Sequence, residues 1–293
     1  MKTITKFFLF FIFLSCQNNN DKKVNLQKTD LEKAGLKGEI EQIKQDNFKA
    51  LEKFGEIVKG QKWGFDDDNF HIIYNETGNQ IEKNTYNLDG TLFSKFTFIY
   101  DNYGNLIEEN RFNSDGTLNY KEKYKYLGNN DNKMRVGNMY KSDGSLYSID
   151  STELDEKGNE LKYHGYDKNN NVNLLYSNKY DDKGNVIEKD YVDRRTHSND
   201  ISKYDIKGNL IEFNSYWHSC DMTIPLDTSR FVKTMKYDEK NNVIEVISSV
   251  PFSKSPPVIE TNMYVYDKNN NWIQKISFKD KKPISIAVRQ IKY

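Results

Sequence analysis

A nine-residue phrase recurs along this chain and decides what it can fold into. Tyr100-Asp101-Asn102-Tyr103-Gly104-Asn105-Leu106-Ile107-Glu108 returns at Tyr180–Glu188 and again at Tyr204–Glu212. Looser copies start at Tyr74, Tyr166, Tyr237 and Tyr266, and one copy carries Leu154 in place of the tyrosine. The fifth residue is Gly78, Gly104, Gly158, Gly184 or Gly208, and elsewhere Asn170, Asn241 or Asn270. Glycine and asparagine share a tolerance for positive φ, so the substitution pattern inside one chain reports a backbone constraint. A turn that ends in one left-handed residue is a common hairpin connection, and an aspartate before it caps the turn amides.

A second turn alternates with the first. Asp89-Gly90, Asp115-Gly116 and Asp143-Gly144 follow Tyr86, Phe112 and Tyr140. Asp-Gly between strand-like runs signals a hairpin. The aromatic anchors at 74, 86, 100, 112, 126 and 140 are spaced by 12 or 14 residues, which leaves strands of about eight to ten residues. Between turns, Tyr120, Tyr124 and Tyr126 take one parity and Lys121, Lys123 and Lys125 the other, an apolar-in, charged-out pattern of period two. Leu106 beside Ile107 and Val186 beside Ile187 break that parity. Either both faces are partly covered there or bulges shift the register. The segment 36–58 is ambiguous. Leu36, Ile40, Ile43, Asn47, Leu51, Phe54 and Val58 recur at helical spacing, against which stand Gly38, Gly55 and Gly60 and an alternative hairpin over 38–49 and 57–63.

The chain has 293 residues, with 43 basic and 43 acidic side chains, 20 Tyr and 17 Phe. Neutrality with no one-sided basic stretch argues against nucleic acid as a partner. With few aliphatics, rows of aromatic rings are expected to supply a narrow core. Lys2 and Lys6 precede an apolar run at 7–14, too short to span a bilayer as a helix, and then come Ser15 and Cys16. This resembles the lipobox of bacterial lipoproteins. The resemblance implies a signal peptide over 1–15, lipidation at Cys16, a flexible tether over 16–33 and a repeat domain over 34–293. It also implies an outer-membrane anchor, on the periplasmic or cell-surface face. Cys220 is then the one remaining cysteine.

The clusters that invite chemistry are weak. Asp66, Asp67 and Asp68 lack the staggered oxygen ligands of a calcium loop. His218, Cys220 and Asp221, with His164 or His197, do not form the paired Cys/His spacing of a zinc site. Glu82, Glu108, Glu188, Glu212 and Glu245 occur once per repeat, whereas a catalytic pair is singular; cross-strand lysines are their expected partners. No cofactor and no metal is expected. Trp63, Trp217 and Trp272 are candidates for ligand stacking. Trp272 lies at an apolar motif position and reads as core. Trp217 with His218, beside a loop that breaks the rhythm, is the candidate binding position.

The motif Tyr-Asp-x-x-Gly-Asn-x-Ile-Glu resembles the YD repeat of RHS-type proteins over roughly residues 70–275, and the Asp-Gly hairpins are similar to MORN-like repeats. The resemblance favours strands over 36–58. The expected fold is all-β, an elongated, twisted antiparallel sheet of consecutive hairpins, open or partly coiled. The expected role is non-enzymatic, a lipid-anchored envelope module that binds a glycan or a protein. Two alternatives stand beside it: an envelope hydrolase using the loop 217–228, and an immunity or assembly partner of a secreted toxin.

Overall fold

The computed structural model describes residues 28–293 apart from 65–67, 129–132, 220–228 and 252. Cys16, Cys220, Asp221, Asp66 and Asp67 lie outside the described residues, as do the first 27 residues that carry the signal-peptide and anchor readings. One short helix, α1 (Asp30–Lys33), precedes nineteen strands. These are β1 (Gln42–Lys53), β2 (Glu56–Lys62), β3 (Phe70–Tyr74), β4 (Gln80–Tyr86), β5 (Leu92–Tyr100), β6 (Leu106–Asn113), β7 (Leu118–Leu127), β8 (Lys133–Lys141), β9 (Leu146–Leu154) and β10 (Glu160–Asp167). They continue with β11 (Val172–Tyr180), β12 (Val186–Asp193), β13 (Thr196–Tyr204), β14 (Leu210–Ser219), β15 (Ser229–Tyr237), β16 (Val243–Ser249), β17 (Val258–Tyr266), β18 (Trp272–Lys279) and β19 (Lys282–Lys292). The segment 36–58 gives strands β1 and β2. Its helical spacing is overridden because Ile43 pairs Ile72 on one flank and Ile291 on the other.

The expectation of an open or partly coiled sheet is overturned by one pairing. From β3 to β19 each strand pairs the next, antiparallel, and the ends then meet through β1. Its first half pairs β3 over Gln42–Gln45, and its other edge pairs β19 in an eight-residue register from Gln42↔Lys292 to Lys49↔Ser285. The sheet is therefore a closed antiparallel barrel of 18 strands, with β2 folded back on the second half of β1 as a hairpin. Closure satisfies the edge amides that an open sheet leaves unpaired. Repeats dictate hairpins, but the first and last strands are some 240 residues apart, and no local pattern announces that they meet.

The seam carries its own strap. Thr29 caps α1 with a capping box, Leu31 N–H donates to Gly78 O at 3.0 Å, and Gln80 N–H donates to Asp30 Oδ2 at 2.9 Å. Further on, Lys37 and Asn271 exchange two bonds at 2.9 and 2.7 Å. The strap thus runs along one rim from the β3–β4 turn to the β17–β18 turn and crosses the junction of β1 with β19. Leu31, Ile40, Ile43, Ile72 and Tyr74 form the apolar cluster beneath it.

The repeat's chemistry is visible in its turns. Asp101 accepts from Tyr103 N–H and Asn105 N–H through Oδ1 and from Asn105 Nδ2 through Oδ2, all at 2.9 Å. The same set recurs at Asp181 and Asp205. Gly78, Gly104, Gly158, Gly184 and Gly208 have φ of 80–88°, Gly90, Gly116 and Gly144 have φ of 80–87°, and Asn170, Asn241 and Asn270 have φ of 62–67°. Five tyrosines at the strand ends then bridge to the turn before their own. Tyr100, Tyr126, Tyr180, Tyr204 and Tyr237 donate to the carbonyls of Gln80, Leu106, Glu160, Val186 and Leu210 at 2.7–3.1 Å. These bonds, worth about 1 kcal/mol each, tie together turns that are neighbours on the rim but two strands apart in the chain. Where motif tyrosines pair, the register shifts by one residue: Ile99↔Glu108 is followed by Tyr100↔Leu106, which leaves Ile107 as a bulge. Bulges therefore answer the parity question posed by Leu106-Ile107 and Val186-Ile187.

Candidate functional site

Each strand has one outward and one inward face. Outward, the periodic glutamates pair with lysines on a neighbouring strand: Glu82 with Lys95 at 2.7 Å, Glu188 with Lys179 at 2.9 Å, Glu212 with Lys203 at 3.0 Å, and Glu245 with Lys236 at 2.7 Å. Interspersed ion pairs are the opposite of a lipid-facing apolar band, since a lysine turned to lipid at mid-depth costs roughly 2–4 kcal/mol. The outer wall is built for water. No helix among the described residues is long and apolar enough to cross a membrane.

Inward, the wall is lined by aromatic rings and by charges. Nine apolar side chains are buried among the described residues, and five of them belong to the cluster under the strap. A ring of 18 strands about 4.8 Å apart is on the order of 30 Å across if round, wide enough to hold water. The aromatic rows therefore line a cavity rather than fill the narrow core expected of them.

One stretch of this wall, β7 to β12, departs from the repeat. The copy with Leu154 in the tyrosine place has a carboxylate, Glu160, where the other copies have Gln80, Trp272 or an aliphatic such as Leu106, Val186 or Leu210. Glu160 faces inward and accepts from Arg135 Nη2 at 2.8 Å and from the Tyr176 hydroxyl at 2.5 Å. Arg135 also donates to Thr152 Oγ1 at 3.2 Å and lies over the Tyr124 ring at 5.3 Å, while its Nε is buried without a partner. Burial disfavours its charge, but Glu160 and the nearby tyrosines outweigh burial and raise its pKa. Beside it, Asp150 is 6 % exposed and lies against the Glu122 carboxyl. Burial first, then the hydrogen bond and charge of Glu122, push Asp150 up to about 7. Gly137 lies between them, and a Cβ there would collide with the Asp150 carboxylate and crowd Glu122.

Tyr163 stacks on Tyr176 with centroids 4.8 Å apart and planes 2° from parallel, and Lys189 Nζ lies 4.3 Å from the Tyr176 ring centre. Burial pushes the Tyr163 hydroxyl up to about 12. Next to this stack a pocket of about 330 Å³ opens, lined on the inward face by Ser148, Tyr163, Gly165, Leu174, Tyr191 and Asp193. Its size falls at the small end of ligand pockets. Gly165 makes the room: a Cβ there would press on Tyr163 and Asn173. The arrangement offers ring faces, hydroxyls and carboxylates to a polar ligand. No group of three or more metal-ligating side chains occurs among the described residues.

The candidates named from sequence are scattered. Trp217 is on the inward face of β14, 47 % exposed, and His218 pairs His197 of β13 in register. His197 itself points outward and contacts Asp190 at 2.8 Å, and His164 stacks with Tyr166 at 6.4 Å on the outer face of β10. Trp63 and Trp272 belong to other parts of the ring. Sequence reasoning passed over the β7–β12 wall, although the signal was present: Leu154 and Glu160 are where the repeat breaks its own rule.

No protein-family model matches the sequence, and no curated protein matches it. Among solved structures the chain is similar to a porin-like protein from Bacteroides uniformis, with 8 % identity and a TM-score of 0.40 over 87 % of this chain and 98 % of that one. It is also similar to the complex TcdB2-TccC3-Cdc42, with 14 % identity and a TM-score of 0.33 over 78 % of this chain and 12 % of that one. Likenesses this distant decide neither the fold nor the function; the closed ring rests on the strand pairings.

Proposed function

We propose that this is a non-enzymatic envelope protein, held at the outer membrane through a lipid on Cys16, whose barrel interior binds a glycan. The observation that carries the reading is the contrast between faces. The outer wall neutralises itself pair by pair, whereas the inner wall presents the Tyr163–Tyr176 stack beside a pocket. Stacked rings with polar groups at their edges suit sugar rings, which have one apolar face and a rim of hydroxyls. The lipobox-like Ser15-Cys16 and the repeated Tyr-Asp turns support an anchored YD-repeat-like module. Protein, and not nucleic acid, is the alternative ligand.

The test is a glycan array followed by calorimetry on the full chain in detergent, comparing it with Tyr163→Ala and Gly165→Val. A saccharide that binds the parent and loses tenfold or more on either substitution supports the reading. An array without any binder, or a binder indifferent to both changes, overturns it.

A further inference from the structure

A second part of the inner wall carries the opposite charge. Lys275 on β18 and Arg289 on β19 face the interior together, next to Tyr74 and Tyr264. The Arg289 guanidinium lies 3.5 Å from the centre of the Trp272 ring, and Lys275 Nζ is 5.8 Å from the same centre. Arg289 Nε donates to Gln45 Oε1 at 2.9 Å, which fixes the fork. Among the described residues no carboxylate forms an ion pair with either cation; Asp68 and Glu260 act on Lys275 through space, and two tyrosines act on Arg289. Burial lowers Arg289 to about 10, and burial followed by the Arg289 charge lowers Lys275.

Two like charges side by side on one partly buried wall are costly unless something arrives to pair them. The outer wall shows that this chain places a carboxylate opposite a lysine wherever pairing is the aim. A planar guanidinium held by Gln45 and backed by Trp272 is pre-organised for a two-oxygen acceptor. Trp272 is also where the last repeat departs from its aliphatic pattern.

We propose that Arg289 and Lys275 form an oxyanion-binding subsite for the carboxylate of an acidic saccharide, with Arg289 taking two oxygens and Lys275 one. The subsite lies eight strands round the ring from the Tyr163–Tyr176 stack and goes beyond the glycan reading above, on which it rests for its ligand class. It predicts selectivity for uronate-containing chains over their neutral counterparts.

The experiment is calorimetry on the full chain with a uronic-acid oligosaccharide, its neutral counterpart, and inorganic phosphate, for the parent, Arg289→Met and Lys275→Met. Thermal denaturation of the same three proteins is read alongside. The expected result is a preference for the uronate of tenfold or more, lost in each variant, with binding of the neutral sugar unchanged. Removing an unpaired, partly buried cation should leave the midpoint of unfolding unchanged or raised. A lowered midpoint with unchanged uronate affinity would show that the two cations serve the fold, and would overturn the subsite. Phosphate bound through Arg289 with no uronate preference would overturn the saccharide assignment. If no saccharide binds at all, the glycan reading fails; if the neutral sugar binds and loses affinity on Tyr163→Ala while Arg289→Met changes nothing, only the subsite fails.

Discussion

On strand β7 the outward Lys121 and Lys123 meet Glu108 of β6 at 3.3 and 4.0 Å, in water. The inward residues of the same strand, Tyr120, Glu122 and Tyr124, are partly withdrawn from water and meet rings, Asp150 and Arg135. The backbone is common to both faces, so the difference is one of dielectric. Outside, a missing partner is replaced by solvent and little is lost. Inside, each polar group depends on a particular neighbour, and a displaced neighbour leaves a charge or a donor stranded. Substitutions should therefore be ranked by face before they are ranked by chemistry.

The largest effect is expected at Gly137. A Cβ there would meet Asp150 and Glu122 closer than van der Waals contact, so Gly137→Val must push the two carboxyls aside or spread β8 from β9. Overpacking plus a broken buried pair should lower stability by roughly 3 kcal/mol or more in urea denaturation. Gly90 has open space around its Cβ position, so Gly90→Asn, which keeps a residue tolerant of positive φ, is the matched control and should cost under about 1 kcal/mol. Equal losses at the two positions would remove the contrast between the faces.

What the sequence made legible follows the same division. The turns were readable because Gly104 or Asn170 at one position, and Asp101 with Asn105 around it, are local and repeat. The outer glutamates were readable as a paired face because they too are periodic. The ring closure was not, since Gln42↔Lys292 joins the two ends of the chain and no period records it. The inner site was not, because Glu160, Glu122, Asp150 and Arg135 come from four strands and meet only once the sheet is curved. Their trace in the sequence is a departure from the repeat, with Leu154 and Glu160 replacing its tyrosine and its apolar residue. Trp217 and His218 drew attention by breaking the rhythm of the loops, which is a property of length rather than of chemistry.

A middle-sized effect sharpens the contrast through pH. Asp150 has its folded pKa raised from 3.8 to about 7, so the fold favours its protonated form. The linked stability is fully present below about pH 4 and is lost as pH rises through 7. Asp89, Asp115 and Asp143, on the exposed turns, are held low by their hydroxyl and backbone donors from Thr91, Thr117 and Ser145. Their contribution runs the other way and disappears as pH falls below about 4. Asp150→Asn should keep the hydrogen bond to Glu122 without the titration. Its advantage over the parent should be absent below about pH 4 and grow as pH rises toward 7, to on the order of 1–3 kcal/mol at pH 8. A variant weaker than the parent at both pH values would mean that the fold needs Asp150 charged.

The smallest effect is expected on the outer wall, and it fixes the scale for the rest. Lys203 is 60 % exposed and reaches Glu212 at 3.0 Å across β13 and β14. Lys203→Ala removes one cross-strand pair and leaves Glu212 still bonded to Asn214 at 2.8 Å. Coulomb attraction between exposed groups is weak in water and is offset by the entropy of holding a long side chain still. The change should be under about 0.5 kcal/mol, and should vanish in 1 M salt, where the screening length is about 3 Å. Arg135→Ala on the inner wall breaks a pair at 2.8 Å, shorter than that of Lys203, and strands Glu160 against Tyr176. The Arg135 side chain is 23 % exposed against 60 % for Lys203, so salt screens the inner pair less and more of its loss should persist at high salt. A salt titration of the two variants therefore separates the faces even if their effects in dilute buffer happen to be close.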